Sequence, residues 1–280
     1  MSPMQWMSGT QLSKTRRQLL IDSLAHYVFR PKLCILLVGH NEASELYVNV
    51  KIKASEEVGI NASCHHLPTA TTQSCIEWIE RCNQDPTIHG IMVQLPLPKN
   101  LDTQQVLSSI ALSKDVDGLN PMQSRYHPTF TPCTPMAIMQ LLDHYKIALR
   151  HQCVTLIGTS RLIGRPLMDY FLDQGATLNM CHQWTQQATT RNDLAYCIKR
   201  ADVLISATGQ QDIIKPEWIK RNSVVMDVGI HRINGRTFGD LDHQHLTHVK
   251  WLTPVPGGIG PMTVTCLLDN TVSAFLMTQT

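Results

Sequence analysis

A tyrosine and a lysine four residues apart, Tyr47 and Lys51, are the first two side chains whose types and spacing could carry out chemistry. The apolar pattern around them predicts a helix, and residues i and i+4 lie on the same helix face. A lysine partly buried beside a tyrosine hydroxyl can have its pKa lowered enough to exchange protons near pH 7. An exposed lysine whose stem lies under the aromatic ring fits the same spacing. The pair alone therefore leaves both interpretations open.

Polar side chains with possible functions also lie at two further places. One is the end of a predicted strand at residues 90–94, and the other is just before the glycine at position 118. Gln94 ends the apolar run GIMVQ, and ligands bind at the carboxyl ends of parallel strands. A simple polar strand end explains Gln94 equally well. Asp115 and Asp117 could hold a metal ion or form an Asx turn. We favour the turn, because a cation site needs several more oxygen ligands.

A glycine-containing turn at residues 158–166 reads GTSRLIGRP and lies between a predicted buried strand and a predicted helix. A dinucleotide pyrophosphate binds at this place in a doubly wound sheet, at the amino end of the helix. Gly158 permits a tight turn, Ser160 offers a hydroxyl and an N–H to a phosphate, and Gly164 lets the helix approach the strand. Pro166 suits a first helical turn. An ordinary strand-to-helix turn is the alternative, because the spacing differs from G-x-G-x-x-G.

The end of the next strand, Met180-Cys181-His182, bears on which dinucleotide binds. Enzymes that use NAD place an Asp or Glu about 20 residues after the glycines, and this stretch has neither. A carboxylate there would repel a 2′-phosphate, so its absence favours NADP. Arg161 and Arg191 are candidates to bind that phosphate.

Residues 254–263 read PVPGGIGPMT, with three glycines and three prolines ahead of an apolar helix. This density of glycine and proline indicates a rigid and unobstructed backbone, as in a segment that lies against a flat ligand. A purely structural loop is the weaker explanation.

Short apolar runs alternate with amphipathic stretches along the chain, which predicts an α/β fold of two domains with mostly parallel sheets. Four prolines between residues 121 and 135 interrupt this rhythm and mark a crossing between domains. We expect residues 1–140 and 262–280 to form the first domain and residues 141–261 a Rossmann-type dinucleotide-binding domain. Strands are expected at 32–39, 61–67, 90–94, 153–157, 176–180, 202–207 and 224–228, a hairpin at 230–239, and helices at 10–29, 44–59, 72–83, 102–110, 134–145, 164–174 and from about 262 onward. Ser44 is the expected N-cap of the second helix, and Gly59 is its expected stop.

The bulk composition limits the classes of function. A net charge of +2 and a charged fraction of 16% favour neither nucleic acid nor a membrane surface as a partner. The longest apolar runs are strand-sized, and the N-terminus lacks the layout of a signal peptide. Nine cysteines at scattered spacings, without a Cys-x-x-Cys pair, favour reduced and buried thiols. We therefore expect a cytoplasmic enzyme.

Taken together, these segments resemble the bifunctional methylene-tetrahydrofolate dehydrogenase/methenyl-tetrahydrofolate cyclohydrolases. The segments appear in the family's order and cover nearly the whole chain from about residue 32. The matching segments are Ser44-Glu-Leu-Tyr47-Val-Asn-Val-Lys51-Ile-Lys-Ala, Val-Gln94-Leu-Pro-Leu-Pro, Lys114-Asp-Val-Asp117-Gly, Pro132-Cys-Thr-Pro135, Gly158-x-Ser160-x-x-x-Gly164-Arg165-Pro166 and Pro254-Val-Pro-Gly-Gly-Ile-Gly-Pro-Met-Thr263.

The resemblance implies a folate-facing first domain, NADP as the cofactor, no metal, and a homodimer. It implies that a hydride passes from methylene-tetrahydrofolate to the nicotinamide, and that water then opens the methenyl product. Lys51 resembles the acid/base group of the hydrolytic step, Gln94 the residue that tunes it, and Tyr47 and Asp117 residues that contact the folate. Further folate contacts are implied at Pro256, Gly257, Gly258 and Thr263, and cofactor contacts at Gly158, Thr159, Ser160, Gly164, Arg165, Pro166, Arg191 and Ile230. The last helix is expected to pack back on the first domain.

The sequence departs from the family pattern in two stretches. The stretch 7–10 replaces a more usual Asp-Gly-Lys-like element. The stretch 181–191 is longer than usual, with Gln183 where an arginine is common. A dehydrogenase of another small substrate and a non-catalytic dinucleotide-binding module are the alternative hypotheses. The intact set of Tyr47, Lys51, Gln94 and Asp117 argues against the second.

Overall fold

The structure is a computed structural model that describes residues 3–123, 128–182, 184–185, 193–233 and 235–279. The chain divides into two compact units. The six-stranded unit comprises Met1–Ser13 and Thr134–Thr263, and the three-stranded unit comprises Lys14–Cys133 and Val264–Thr280. Residues 1–13 were expected in the first domain and instead group with the six-stranded unit, because the strand Gln5–Trp6 pairs with Trp251–Leu252.

The three-stranded unit has a parallel sheet in the order β3-β2-β4, as the alternating pattern predicted. The strand β2 is central and buried on both faces, and its side chains pack with those of the helices into one apolar core. The elements are α1 (Gly9–Leu24, whose first five residues belong to the other unit), β2 (Lys32–Val38), α2 (Glu42–Val58), β3 (Asn61–Leu67), α3 (Thr72–Gln84), β4 (Gly90–Val93) and α4 (Thr103–Ser108).

The helix α2 is set by its two ends. Asn41 is the N-cap and accepts a hydrogen bond from the Ser44 backbone N–H at 2.9 Å. The expectation that Ser44 is the cap is therefore wrong, because the amide oxygen three residues earlier already satisfies the free N–H there. Gly59 ends the helix in the left-handed conformation, at φ 86°, as predicted. This helix carries both Tyr47 and Lys51.

The six-stranded unit has a parallel sheet in the order β1-β11-β8-β7-β5-β6 and a separate hairpin of β9 and β10. After α5 the chain re-enters the sheet at β5, continues to β6 on one side of β5, and then returns to β7 on the other side. The elements are β1 (Gln5–Trp6), α5 (Cys133–His144), β5 (Cys153–Ile157), α6 (Gly164–Asp173), β6 (Thr177–Cys181), α7 (Leu194–Arg200), β7 (Val203–Ser206), β8 (Val224–Asp227), β9 (His231–Ile233), β10 (Arg236–Phe238) and β11 (Trp251–Leu252). The reversal of strand order beside β5 marks the place where such sheets bind ligands.

The last helix, α8 (Ile259–Met277), begins three residues before the predicted start near 262. Gly260 and Pro261 fit inside its first turn, because the N–H groups there need no helical partner. Residues from Val264 onward group with the three-stranded unit, so the predicted return of this helix to the first domain is confirmed. Arg16 of α1 forms an ion pair with Asp269 of α8 at 2.6 Å. Among the described residues, every helix is too short or too polar to cross a bilayer.

Candidate functional site

Lys51 lies on the inner face of α2, and its side chain points at the carboxyl end of β4. The residue is only 9% exposed, which excludes the exposed lysine that its spacing also allowed. Its ammonium nitrogen Nζ donates to Gln94 Oε1 at 2.9 Å and lies 3.4 Å from Met92 Sδ. Gln94 in turn donates from Nε2 to the Leu95 carbonyl at 2.7 Å. That bond fixes the amide so that its oxygen, and not its nitrogen, faces the lysine.

Burial sets the acid/base character of Lys51. Loss of water lowers the pKa of Lys51, while the charges of Asp117 and Cys133 raise that pKa in opposition. The thiol of Cys133 is fully enclosed, and burial first, then the charge of Asp117, raise its pKa well above the ordinary value. A cysteine with a raised pKa stays a neutral thiol, so Asp117 supplies the nearby negative charge. Burial therefore shifts the pKa of Lys51 downward, which is the direction that an acid/base role requires.

The turn after Val116 holds Asp117 in place. Asp115 is buried, and its carboxylate accepts from the N–H groups of Leu119 and Asn120 at 3.2 and 2.8 Å. Gly118 has φ 70°, and a Cβ there would lie 2.7 Å from the Pro132 nitrogen. A backbone turn is present, since the Gly118 N–H donates to the Asp115 carbonyl at 3.0 Å. It is not the predicted Asx turn, because the Asp115 carboxylate bonds the N–H groups four and five residues later instead of two. The carboxylate of Asp115 serves the backbone, which leaves Asp117 as the acid of the pair that acts on Lys51.

The returning helix α8 supports the same turn from behind. Asn270 is buried, and its Nδ2 donates to the carbonyls of Val116 and Thr131 at 2.8 and 3.1 Å. The same nitrogen lies 3.8 Å from Cys133 Sγ. Two segments on either side of Asp117 are therefore held by one side chain. Sequence reasoning did not identify Asn270 as part of the site, since an isolated Asn in an apolar helix carries no motif. Cys133 lies in the matching segment Pro132-Cys-Thr-Pro135, but no role in the site was predicted for it.

Tyr47 lies one turn before Lys51 on α2 and is half-buried. Partial burial raises the pKa of its phenol, so the hydroxyl remains protonated at neutral pH. A ring that is half covered by protein keeps one part available to a ligand. This position suits stacking against an aromatic substrate better than proton transfer.

A cavity of about 480 Å³ lies at the carboxyl ends of β5 and β7, beside the reversal of strand order. The predicted cofactor residues Gly158, Thr159 and Ser160 line it. The other lining residues are Ile157, His182, Trp184, Leu194, Ala207, Thr208, Gln210 and Ile213. Sequence reasoning missed Ala207, Thr208 and Gln210, although the end of a strand next to the glycine turn was a usable signal.

Two glycines leave room for a ligand to approach the protein backbone in this cavity. Gly158 has φ 119°, and a Cβ there would clash with the Ala207 carbonyl oxygen. A Cβ at Gly164 would clash with the Gly158 carbonyl oxygen and lie 2.8 Å from Thr159 Cα. Both glycines are therefore required by close approach of turn, strand and helix, as in a pyrophosphate cradle.

The other residues of the turn shape the start of α6. Ser160 accepts from the Ile163 N–H at its hydroxyl, at 3.2 Å, and from the Arg165 N–H at its carbonyl, at 3.0 Å. Gly164, Arg165 and Pro166 form the first three residues of α6, so the helical start predicted at Gly164 is confirmed. Arg191 and Gln183 lie outside the described residues.

The predicted folate contacts at 256–263 belong to the six-stranded unit. Gly257 has φ 110°, and its carbonyl accepts from the Thr10 N–H at 2.9 Å. Thr263 is half-buried and donates to the Ile259 carbonyl at 3.2 Å. Ile230 is 44% exposed and lies against Gly260, whose added Cβ would be 4.0 Å from Ile230 Cδ1. The structure thus groups Ile230 with this segment, and Lys51, Gln94 and Asp117 within the three-stranded unit.

Comparison with known proteins bears on both units. Residues 7–117 match the catalytic domain, and residues 132–279 the NAD(P)-binding domain, of the tetrahydrofolate dehydrogenase/cyclohydrolase family. The chain is 40% identical to the bifunctional protein FolD of Legionella pneumophila (strain Paris), over 96% of this chain and 97% of that protein. It is 41% identical to the protein of the same name from Aquifex aeolicus, over 96% and 94% of the two chains.

Two solved structures share the fold over nearly their whole length. One is the bifunctional methylenetetrahydrofolate dehydrogenase/cyclohydrolase of Campylobacter jejuni, with a TM-score of 0.91, 37% identity, and 98% and 99% of the two chains covered. The other is the Trypanosoma brucei enzyme, complexed with NADP and an inhibitor, with a TM-score of 0.92, 30% identity, and 100% and 99% covered.

Proposed function

The chain belongs to the tetrahydrofolate dehydrogenase/cyclohydrolase family, and we propose that it oxidises methylene-tetrahydrofolate with NADP and hydrolyses the methenyl product to formyl-tetrahydrofolate. The observation that carries the proposal is the buried Lys51 held by Gln94 within the segment that matches the catalytic domain. A buried amine serves no obvious purpose in packing, because burying a charge is costly. It does serve a proton relay.

The cofactor is NADP, which accepts a hydride when it is bound. The glycines at 158 and 164 leave the close approach that a pyrophosphate needs, and Thr159 and Ser160 line the same cavity. The strand β6 ends without a carboxylate that would repel a 2′-phosphate. Hydride transfer demands orientation more than acid/base help, so the contribution of this edge is to bind and to exclude water.

Lys51 is proposed as the general base of the hydrolytic step. As the water oxygen bonds to the cationic methenyl carbon, the neutral amine takes the proton that the water loses. The same amine returns that proton to the folate nitrogen as the carbon–nitrogen bond breaks, and the remaining hydroxyl proton is released to solvent as the formyl C=O forms. Gln94 Oε1 holds Nζ in place, and Asp117 keeps the pKa of Lys51 from falling as far as burial alone would lower it.

In the three-stranded unit, Tyr47 and Asp117 are proposed to contact the folate. In the six-stranded unit, the family resemblance supports Pro256, Gly257, Gly258 and Thr263 as folate-contacting residues. Tyr47 offers a half-buried ring for stacking, and Asp117 offers hydrogen-bond acceptors to the pterin. We propose the same domain roles as the resemblance implies: folate chemistry in one unit and dinucleotide binding in the other. The alternative of a dehydrogenase for another substrate would leave the Lys51 arrangement without a task.

The test is a spectrophotometric assay with methylene-tetrahydrofolate, run in parallel with NADP and NAD. We expect nicotinamide reduction that is faster with NADP, without accumulation of the methenyl compound, because hydrolysis follows. Faster reduction with NAD would overturn the cofactor assignment and keep the family. Folded protein that reduces neither nucleotide would overturn the dehydrogenase activity.

We also propose a homodimer in the cytoplasm. The family resemblance supports the dimer, and nine cysteines without a disulfide among them fit a reducing compartment. Sedimentation at twice the 31.5 kDa chain mass would support the dimer, and sedimentation at the chain mass would contradict it.

A further inference from the structure

A buried carboxylate lies behind the dinucleotide cavity. The side chain of Asp240 has no solvent exposure. Its Oδ2 accepts from the Ser206 hydroxyl at 2.9 Å, the Thr208 backbone N–H at 2.9 Å and the Thr208 hydroxyl at 2.8 Å. Its Oδ1 lies 2.8 Å from His231 Nε2. Since a carboxylate only accepts hydrogen bonds, His231 donates here. One side chain therefore satisfies four donors from two segments of the chain.

The first of these segments is the loop that follows β7 and forms one wall of the cavity. Thr208 and Gln210 both line the cavity. The Thr208 hydroxyl also accepts from the Gln210 N–H at 3.1 Å, and Gln211 donates to the Gly239 carbonyl at 3.3 Å. The cavity-lining residues are thus held in shape by hydrogen bonds that converge on residues 239 and 240.

The second segment begins the hairpin of β9 and β10. His231 follows directly after Ile230, the residue that lies against the 254–263 segment. The His231 side chain is 18% exposed, and its bond to Asp240 fixes the ring that anchors this end of the hairpin. Asp240 therefore holds both the loop after β7 and the backbone beside Ile230.

Close packing allows Asp240 little freedom of its own. A Cβ at Gly229 would clash with both carboxylate oxygens, so the carboxylate rests directly on backbone. The backbone N–H of Asp240 donates to Asp227 Oδ1 at 2.9 Å. Asp227 is a second buried carboxylate, and its Oδ2 lies 2.8 Å from His243 Nε2. Its remaining bond is to the Leu241 N–H. Unlike Asp240, Asp227 bonds no residue that lines the cavity.

We propose that Asp240, with His231, is a positioning residue for the dinucleotide: it holds the wall formed by Thr208 and Gln210 in the shape that binds the nicotinamide cofactor. The proposal rests on the proposed function, because it assigns the 480 Å³ cavity to that cofactor. The proposal adds a second structural requirement for cofactor binding, which is a fixed wall that the glycine turn does not itself provide. The turn at 158–166 lines one part of the cavity, and the Asp240 network pre-organises the adjoining wall after β7.

The test compares Asp240→Asn with the unchanged chain in titrations of NADPH followed by its fluorescence. An asparagine matches the shape but replaces one acceptor oxygen with a donor, so either His231 or Thr208 meets a donor instead of an acceptor. We expect NADPH to bind about tenfold more weakly, the loss that follows from one charge-assisted hydrogen bond. Hydrolysis of methenyl-tetrahydrofolate, which needs no dinucleotide, is expected to stay within about twofold, as is the folate KM.

A matched pair of histidine variants separates positioning from packing. His231→Gln and His243→Gln each remove a ring 2.8 Å from a buried carboxylate, at 18% and 19% exposure. We expect weaker NADPH binding with His231→Gln and unchanged binding with His243→Gln. Equal weakening by both, with equal loss of thermal stability, would reduce the network to a folding element and overturn the proposal.

A third pair applies if Asp240→Asn does not fold. Thr208→Val removes the hydroxyl that bonds Asp240, and Thr208→Ser retains it. Weaker NADPH binding in the valine variant, restored in the serine variant, would support the proposal, whereas unchanged binding in both would overturn it. The unchanged chain distinguishes failure of the proposed function from failure of the Asp240 inference. If the unchanged chain does not bind NADPH, the proposed function is wrong. If it binds but Asp240→Asn binds equally well, this inference alone is wrong.

Discussion

The two edges at which we propose that ligands bind lie at the same place in their sheets and are built in opposite ways. At the edge of β2 and β4, the site consists of buried side chains: Lys51 pointing at Gln94, with Asp117 acting on its pKa. At the edge of β5 and β7, it consists of backbone and glycine, with Gly158 and Gly164 in positions that exclude a Cβ. One edge alters the chemistry of a functional group, and the other creates space beside a helix end.

This difference indicates what each edge does for the reaction. Acid/base catalysis needs a group whose proton affinity is set by its surroundings, which requires burial and a nearby charge. Dinucleotide binding needs close contact with N–H groups and a fixed wall, which requires small residues and rigid support. Substitutions at the two edges should therefore fail in different ways, and each prediction below tests that separation.

The largest effect is expected from Lys51→Ala. Hydrolysis of methenyl-tetrahydrofolate should fall by about 10³-fold, within the range for loss of a general acid/base. Nicotinamide reduction should be largely spared, because hydride transfer does not use the amine. Two assays on one preparation measure this: decay of methenyl absorbance, and NADPH formation from methylene-tetrahydrofolate with accumulation of the methenyl compound.

The matched control for that variant is Lys53→Ala, on the same helix but exposed. Its hydrolysis rate should stay within about twofold, as surface substitutions do. Full hydrolysis by Lys51→Ala would show that another group is the base. Equal loss of hydrolysis and nicotinamide reduction in Lys51→Ala would show that the two edges do not act independently, contrary to what their different structures suggest.

A smaller effect, on the other edge, is expected from Gly158→Ala. At φ 119° an alanine is strained, and its Cβ clashes with the Ala207 carbonyl. The turn must shift, so we expect NADPH affinity to fall by about tenfold or more while hydrolysis persists.

Gly235→Ala, in the hairpin between β9 and β10, is the control for Gly158→Ala, because Gly235 also has positive φ, 76°, yet nothing lies within 4 Å of an added Cβ. It carries the backbone strain of about 1 kcal/mol without the clash. Calorimetric titration with NADPH and thermal melts of both variants distinguish the two. Similar affinities for the two variants would mean that close approach at Gly158 is unimportant for binding.

The same contrast explains how much the sequence predicted. The fold class, the parallel sheets and most elements followed from apolar runs and glycine stops, because those signals are local; β3 has the predicted bounds of 61–67. The two-residue strands β1 and β11 were missed, since they are too short to show a period and form only by pairing, β1 with β11 and β11 also with β8. The N-cap of α2 was predicted at the wrong residue for a similar reason. Ser44 and Asn41 are both good N-cap residues, and only the geometry of the folded chain selects between them.

The sites show a parallel split. Gly158 and Gly164 were predictable because a glycine turn between strand and helix has a local pattern. The residues that support each site were not predictable from the sequence. Asn270 lies 154 residues from the Val116 carbonyl that it bonds, and Asp240 lies 32 residues from Thr208. Nothing in a local window indicates such pairs. The direction of the Lys51 pKa was predictable only once burial was known, because the same i, i+4 spacing suits an exposed lysine.

The smallest and most specific effect is expected from Asp117→Asn, which changes the charge at the first edge but keeps the shape. Lys51 must be neutral to accept a proton, so hydrolysis increases as pH rises through the pKa of Lys51. Asp117 raises that pKa against burial, and removing its charge should lower the pKa further. The acid limb of the pH–rate profile for methenyl hydrolysis should therefore move to lower pH. The folate KM should also rise by several-fold, from loss of an acceptor for the pterin.

The NADPH titration of Asp117→Asn is the internal control and should match that of the unchanged chain. A limb that moves to higher pH would mean that Asp117 lowers the pKa of Lys51, which contradicts the balance of burial and charge described above. A rate that falls as pH rises through this pKa would mean that Lys51 acts in its protonated form, which contradicts its role as the base. An unmoved limb with a raised folate KM would assign Asp117 to binding alone. Weakened NADPH binding by the same variant would show that a charge change at one edge reaches the other, and the separation of chemistry from cofactor binding would then fail.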